Sequence, residues 1–323
     1  CLAGCLGIHL LAGHFTLAFI NQLAVLSYAA LRIMLSAQNS SCAAIPTRRF
    51  VLFPAAVAAG LLVSAVQLVP SYELKLMSQR EGDRTEFDPT YGHMPPVYGT
   101  QLVASWWYWH TPEMKATRAI MKTPGAVAAD TNTVEAHLYW GLIPFGLVVC
   151  GLVRCWRHGF DSRAQIIWLV LSIGGLVYAT GWLMPVTRHL PGFGFFMGPG
   201  RYTILTALGG GLLSAMMLDR ITRRFSRTMT AVLTTLLCTL TLPDLQWSSQ
   251  TIQDAVVVEQ PPIAQMDTSW LRQTLTADGE TPKRLLAPGP NVGNLFGVSC
   301  IPQYLGIGPA VYQDSALRPS MGA

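Results

Sequence analysis

Charge is what this sequence has least of. Asp, Glu, Lys and Arg make up 12% of its 323 residues, where an ordinary soluble domain carries roughly 25%, and this scarcity argues against a water-soluble fold. The seven cysteines (Cys1, Cys5, Cys42, Cys150, Cys155, Cys238, Cys300) form no CxxC pair. Several stand inside apolar runs, where cysteine acts as a small hydrophobe, so neither a zinc framework nor a disulfide scaffold is expected. HExxH and GxxxxGKS are both missing, which leaves no signature of a metalloprotease helix or a nucleotide phosphate loop and no cofactor to expect. There is also no initiator methionine. The chain enters at Cys1 within an apolar run and stops at "RPSMGA", so further sequence is expected upstream, and the C-terminal end is expected to be incomplete. "LAGC" at Leu2 to Cys5 has no basic region before it and reads as a small-residue helix surface rather than a lipoprotein cleavage box.

What the sequence does have is apolar runs near the ~20 residues that cross a ~30 Å hydrocarbon layer as helix. Helices are expected at about 1–13, 15–35, 50–69, 137–153, 164–184, 202–218 and 228–242. This predicts an all-α polytopic membrane protein with about seven crossings. Asn21, Gln22 and Gln67 lie within these runs and are expected to face other helices rather than lipid.

Arginines mark every other connection: Arg32, Arg48 and Arg49; then Arg154, Arg157 and Arg163; then Arg220, Arg223, Arg224 and Arg227. Short cytoplasmic loops collect basic residues, so these connections are expected inside. The alternate segments are net acidic, with 6 basic and 8 acidic residues in 71–135 and 4 basic and 7 acidic from 244 onward. The formal charge of +5 therefore reports orientation and gives no reason to expect a nucleic-acid partner. Residues 1–243 read as the transmembrane region, with 71–135 a large outer loop. Residues 244–323 change to soluble composition, with short β-like runs such as "DAVVVEQPP" between turn residues, and read as the start of a small β-containing extracytoplasmic domain. Arg188 and Arg201 break the inside preference, and both bracket "LPGFGFFMGPGRYTIL" at 190–205.

Four stretches carry a resemblance: "LLAGHFTLAFINQLAVLSYAALR", "AVQLVPSYELKLMSQR", "HLYWGLIPFGLVV" and "LPGFGFFMGPGRYTILTALGGGLL", in that order, with "NVGNLFGVSCIPQYLGIGPAVYQ" near the end. Together they resemble the bacterial YfhO-like membrane proteins, regarded as GT-C-like glycosyltransferases. The resemblance implies a GT-C-like helical bundle in the bacterial cytoplasmic membrane. It further implies an enzyme that takes a sugar from a polyprenyl-phosphate carrier and gives it to a cell-envelope acceptor on the outer side. Two departures stand out. Met197 occupies a position where many members carry arginine, and the acidic residue expected to serve as base falls upstream of Cys1.

A carrier phosphate calls for a guanidinium fork, ideally at a helix start whose N–H groups also favour an anion. Arg201, following Pro199 and Gly200, fits that description. His14 in the first outer turn and Arg80 in "SQR" are the other phosphate-binding candidates. Glycosyl transfer with inversion needs a carboxylate to draw the proton from the acceptor hydroxyl, and among outer-side acids Glu73 and Glu135 stand closest to expected helix ends. The aromatic run "SWWYWH" at 105–110 reads either as an interfacial belt or as a platform for sugar rings. A transporter or flippase for a lipid-linked solute, and a non-catalytic membrane scaffold, are the competing classes. The polar features gather at the outer ends rather than along a continuous path, which favours the transferase.

Overall fold

The computed structural model describes residues 2–11, 15–37, 47–77, 90, 92–104, 137–190, 192–193, 198–250, 273–274, 285–286 and 300–301. The chain divides into two compact units, one formed by 1–70 with 85–255 and the other by 71–84 with 256–323. In the second, β1 (Leu285–Leu286) pairs in parallel with β2 (Cys300–Ile301). Beyond this pairing, the expected β-containing tail lies outside the described residues.

The first unit is helical, and each apolar run of the sequence becomes a helix: α1 (Leu2–Leu11), α2 (Phe15–Ala37), α3 (Thr47–Leu76), α4 (Leu142–His158), α5 (Arg163–Ala179), α7 (Thr203–Thr222) and α8 (Arg227–Gln250). A single turn, α6 (Met184–Thr187), and 3-10 turns at Pro96–Leu102 and Pro199–Tyr202 complete it. Among the described residues, four helices are long and apolar enough to cross a membrane, over Thr16–Leu35, Val51–Leu74, Pro199–Thr222 and Arg227–Ser249, while α1 and α5 are shorter apolar helices. Leu62 and Val66 on α3 are each 76% exposed, and Trp247 on α8 is 70% exposed. Such surfaces would be costly in water and are at home in lipid, so the chain reads as a helical membrane protein.

The boundaries differ from expectation at prolines. The third helix was expected to stop at residue 69, yet α3 runs through Pro70 to Leu76; the last was expected to stop at 242, yet α8 continues through Pro243 to Gln250. Proline ends helices in water because its ring displaces a backbone hydrogen bond, but apolar helices in lipid commonly keep their course through one. The fourth helix starts at Leu142 instead of 137, because residues 137–141 lie outside any regular element and Gly141 has a φ of 106°.

The tightest packing is between α5 and α7. A Cβ on Gly175 would lie 2.8 Å from the Tyr202 carbonyl oxygen, and one on Gly209 would lie 2.9 Å from that of Trp168. Close approach at small residues is how helices associate where no hydrophobic force separates lipid from protein. Thr206 Oγ1 donates to the Ser172 carbonyl at 2.9 Å across the same seam.

Candidate functional site

At one end of the first unit, the starts of α2 and α7 meet the end of α5 and the segment 90–104. Here a buried cluster forms from Ile20, Met94, Tyr98, Tyr178, Met184 and Tyr202, among others. The segment is fastened by backbone bonds: the Gly200 N–H donates to the Gly92 carbonyl at 2.8 Å, and the Met94 N–H to the Ala179 carbonyl at 2.7 Å. Between and beyond these fixings, His93, Tyr98 and Gln101 are almost fully buried. Gln101 Oε1 accepts the Leu138 N–H at 3.0 Å, while its Nε2 is buried with no acceptor. The Tyr202 hydroxyl is likewise buried, beside Tyr178.

The glycine-rich stretch that precedes Arg201 has a local cause. Gly192 sits at φ 88°, and a Cβ there would come within 2.5 Å of the Phe19 ring, so only glycine lets the turn close onto α2. Phe193 then meets Phe19 edge-on at 5.1 Å and Tyr178 at 5.7 Å. Tyr178 and Tyr202 stack at 4.2 Å between ring centres. Residues 194–197, including Met197, lie outside the described residues.

Arg201 emerges from the 3-10 turn directly before α7, half-buried, and its Nη1 donates to Thr16 Oγ1 at 3.0 Å. Thr16 and Pro199 open two of the four candidate spans, so the arginine is held where two apolar helices begin. Arg188, by contrast, is exposed beside His189. Glu73 is exposed in the last turn of α3 and belongs to the second unit, whereas Arg201 belongs to the first. His14, Arg80, Glu135 and the aromatic run 105–110 lie outside the described residues.

One carboxylate was missed. Asp244 stands in α8 just after Pro243, at a position taken from composition as the first residue of the tail. It accepts a hydrogen bond from the Tyr139 hydroxyl and another from the Leu142 N–H at 2.9 Å. Gly141 offers no side-chain cap to α4, so Asp244 supplies one from 102 residues away. Burial, and then the Asp244 carboxylate, push the Tyr139 hydroxyl well above its ordinary value. The partners are far apart in sequence, and only the Pro-Asp step inside an apolar run hinted at a constrained acid.

At the opposite end, α4, α5 and α7 meet around Asp161. Ser162 caps α5 by accepting the Gln165 N–H at 3.3 Å, and Gln165 Oε1 returns the favour to the Asp161 N–H at 2.8 Å, a capping-box exchange shifted by one residue. So placed, Asp161 binds Arg154 at 3.2 Å and Arg220 at 2.5 Å through its two oxygens. Among the described residues, no three His, Cys, Asp or Glu side chains converge as metal ligands.

The fold defines a helical membrane protein with a closed aromatic end and an arginine-rich end. Comparison with known protein families, with curated proteins and with solved structures finds no match for the chain.

Proposed function

We propose that the protein is a membrane glycosyltransferase that moves a sugar from a polyprenyl-phosphate carrier to a cell-envelope acceptor at the outer face of the bacterial cytoplasmic membrane. The observation that carries this reading is the seat of Arg201. A guanidinium is set at the start of a long apolar helix and steadied by Thr16 at the start of another, the level at which a lipid-linked phosphate lies. The four sequence stretches that resemble YfhO-like proteins add the reaction class. The alternation of arginine-rich connections supports placing this end outside.

In this reading Arg201 binds the carrier phosphate and stabilises the charge that develops as the sugar leaves. The helix start behind it adds a favourable field for the same anion. The test is turnover of a radiolabelled polyprenyl-phosphate sugar by the full-length protein in proteoliposomes. Arg201→Ala is expected to lower turnover about 10- to 100-fold, the worth of a charged hydrogen bond, with Arg201→Lys between. Equal turnover in wild type and Arg201→Ala would remove Arg201 from the site. No turnover in either, with a sugar lipid carried across the bilayer instead, would favour a flippase.

A further inference from the structure

We propose that the groove between α4, α5 and α7 at the arginine-rich end is a binding site for one anionic phospholipid, with its phosphate against Arg154 and Arg220. The groove is lined along the helices by Val148, Leu152, Leu169, Leu213 and Met217, and at its rim by Arg154, Asp161 and Gln165. An acyl chain matches the first set and a charged headgroup the second.

Two observations select an anion. First, two guanidiniums share the single carboxylate of Asp161, so the rim keeps one net positive charge. The neighbouring elements do not cancel it. Arg157 and His158 end α4, Arg163 begins α5, and Arg224 and Arg227 follow α7, while Asp219 is engaged by Arg223 at 2.7 Å. Second, among the described residues Arg154 Nη1 is buried with no acceptor although Nη2 holds Asp161. A desolvated guanidinium N–H without a partner is a costly arrangement that calls for an oxygen the protein itself does not supply. A phosphate oxygen answers both the charge and the missing acceptor, and the apolar groove below selects a lipid over a free anion.

This site is independent of the transferase reading and is tested by native mass spectrometry of the detergent-solubilised full chain. The protein is titrated separately with phosphatidylglycerol, phosphatidylcholine and inorganic phosphate. One phosphatidylglycerol is expected to bind above the phosphatidylcholine background, with Arg154→Gln and Arg220→Gln each lowering its affinity about fivefold and Arg224→Gln leaving it unchanged. Asp161→Asn is expected to raise that affinity, because it removes the rim's acid among the described residues; a merely structural triad would give no such rise. Gly151→Leu fills the groove without touching the charges and is expected to reduce binding, which keeps the test decisive if an arginine variant loses its helicity. Equal binding of the two lipids, or Arg154→Gln and Gly151→Leu both behaving as wild type, overturns the proposal. Binding of inorganic phosphate in place of lipid would show a free-anion site and overturn it equally.

Discussion

Gly209→Ala is expected to destabilise the protein by about 1–3 kcal/mol, the range for overpacking a close helix contact, while Gly211→Ala two positions on leaves stability unchanged or slightly raised. The added methyl at 209 meets the Trp168 carbonyl oxygen at 2.9 Å, and a backbone atom has nowhere to swing. At 211 nothing lies within 4 Å, so alanine brings only its better helix propensity. Gly175→Ala should behave like Gly209→Ala, since its methyl would meet the Tyr202 carbonyl at 2.8 Å and the Leu205 side chain at 2.9 Å. Gly175 on α5 and Gly209 on α7 lie across the same seam, so the double variant is expected to fall short of additivity once the first has pushed α5 and α7 apart. Thermal unfolding of the four variants in one detergent checks this, and a Gly211→Ala loss as large as that at Gly209 would contradict the close-packed seam.

Asp244→Ala is the second large effect. It leaves the Leu142 N–H and the Tyr139 hydroxyl without their acceptor, and each orphaned group costs about 1–3 kcal/mol when water cannot reach it. Both are only partly sheltered, so a total of about 2 kcal/mol is expected, with α4 losing its first turn before the rest of the helix. Asp244→Asn keeps an acceptor oxygen and should recover part of the loss. The same contact gives a pH signature. Tyr139 has its hydroxyl pKa raised in the folded protein, so the folded state holds that proton more tightly than the unfolded one. Its contribution to stability is therefore complete below the ordinary tyrosine value of about 10 and is lost as pH rises beyond it. Ultraviolet titration of phenolate, read as the difference between wild type and Tyr139→Phe, should show Tyr139 lagging the ordinary tyrosine range. In Asp244→Asn it should titrate closer to the ordinary value, with the part due to burial remaining. A Tyr139 that titrates with exposed tyrosines in the wild type would remove the Asp244 bond from the account.

The seven apolar runs were legible as helices because burial in lipid acts on composition directly, and a run of Leu, Val and Ala needs no partner to declare itself. Their ends were less so. The apolar runs fade near 69 and 242, yet the helices run on through Pro70 and Pro243, and residues 137–141 read as helix because Leu138, Tyr139 and Trp140 are apolar, although Gly141 holds the backbone out of helical geometry. Arg201 stood out because it broke a charge pattern, a signal that one sequence can carry. Its bond to Thr16, 185 residues away, could not be read, and neither could the sharing of Asp161 by Arg154 and Arg220. Such pairings depend on which helices become neighbours, and apolar helices of similar composition give no local clue to that choice. Asp244 shows the cost: assigned by composition to a soluble tail, it is instead the cap of a helix on the far side of the chain.

The bond from the Leu138 N–H to Gln101 joins two points 37 residues apart, and with Met94 and Gly92 already fastened to the helices, the chain leaves and re-enters this end of the unit at fixed places. Whatever is spliced between residues 104 and 137 therefore works against anchors that do not depend on its length. Doubling that stretch would cost only about 0.6 kcal/mol in closure entropy. The position is accordingly a natural port for a reporter domain or an epitope, and for enlargement during descent, whereas an insertion between Gly92 and Gln101 would draw the buried tyrosine and histidine out of the end they close.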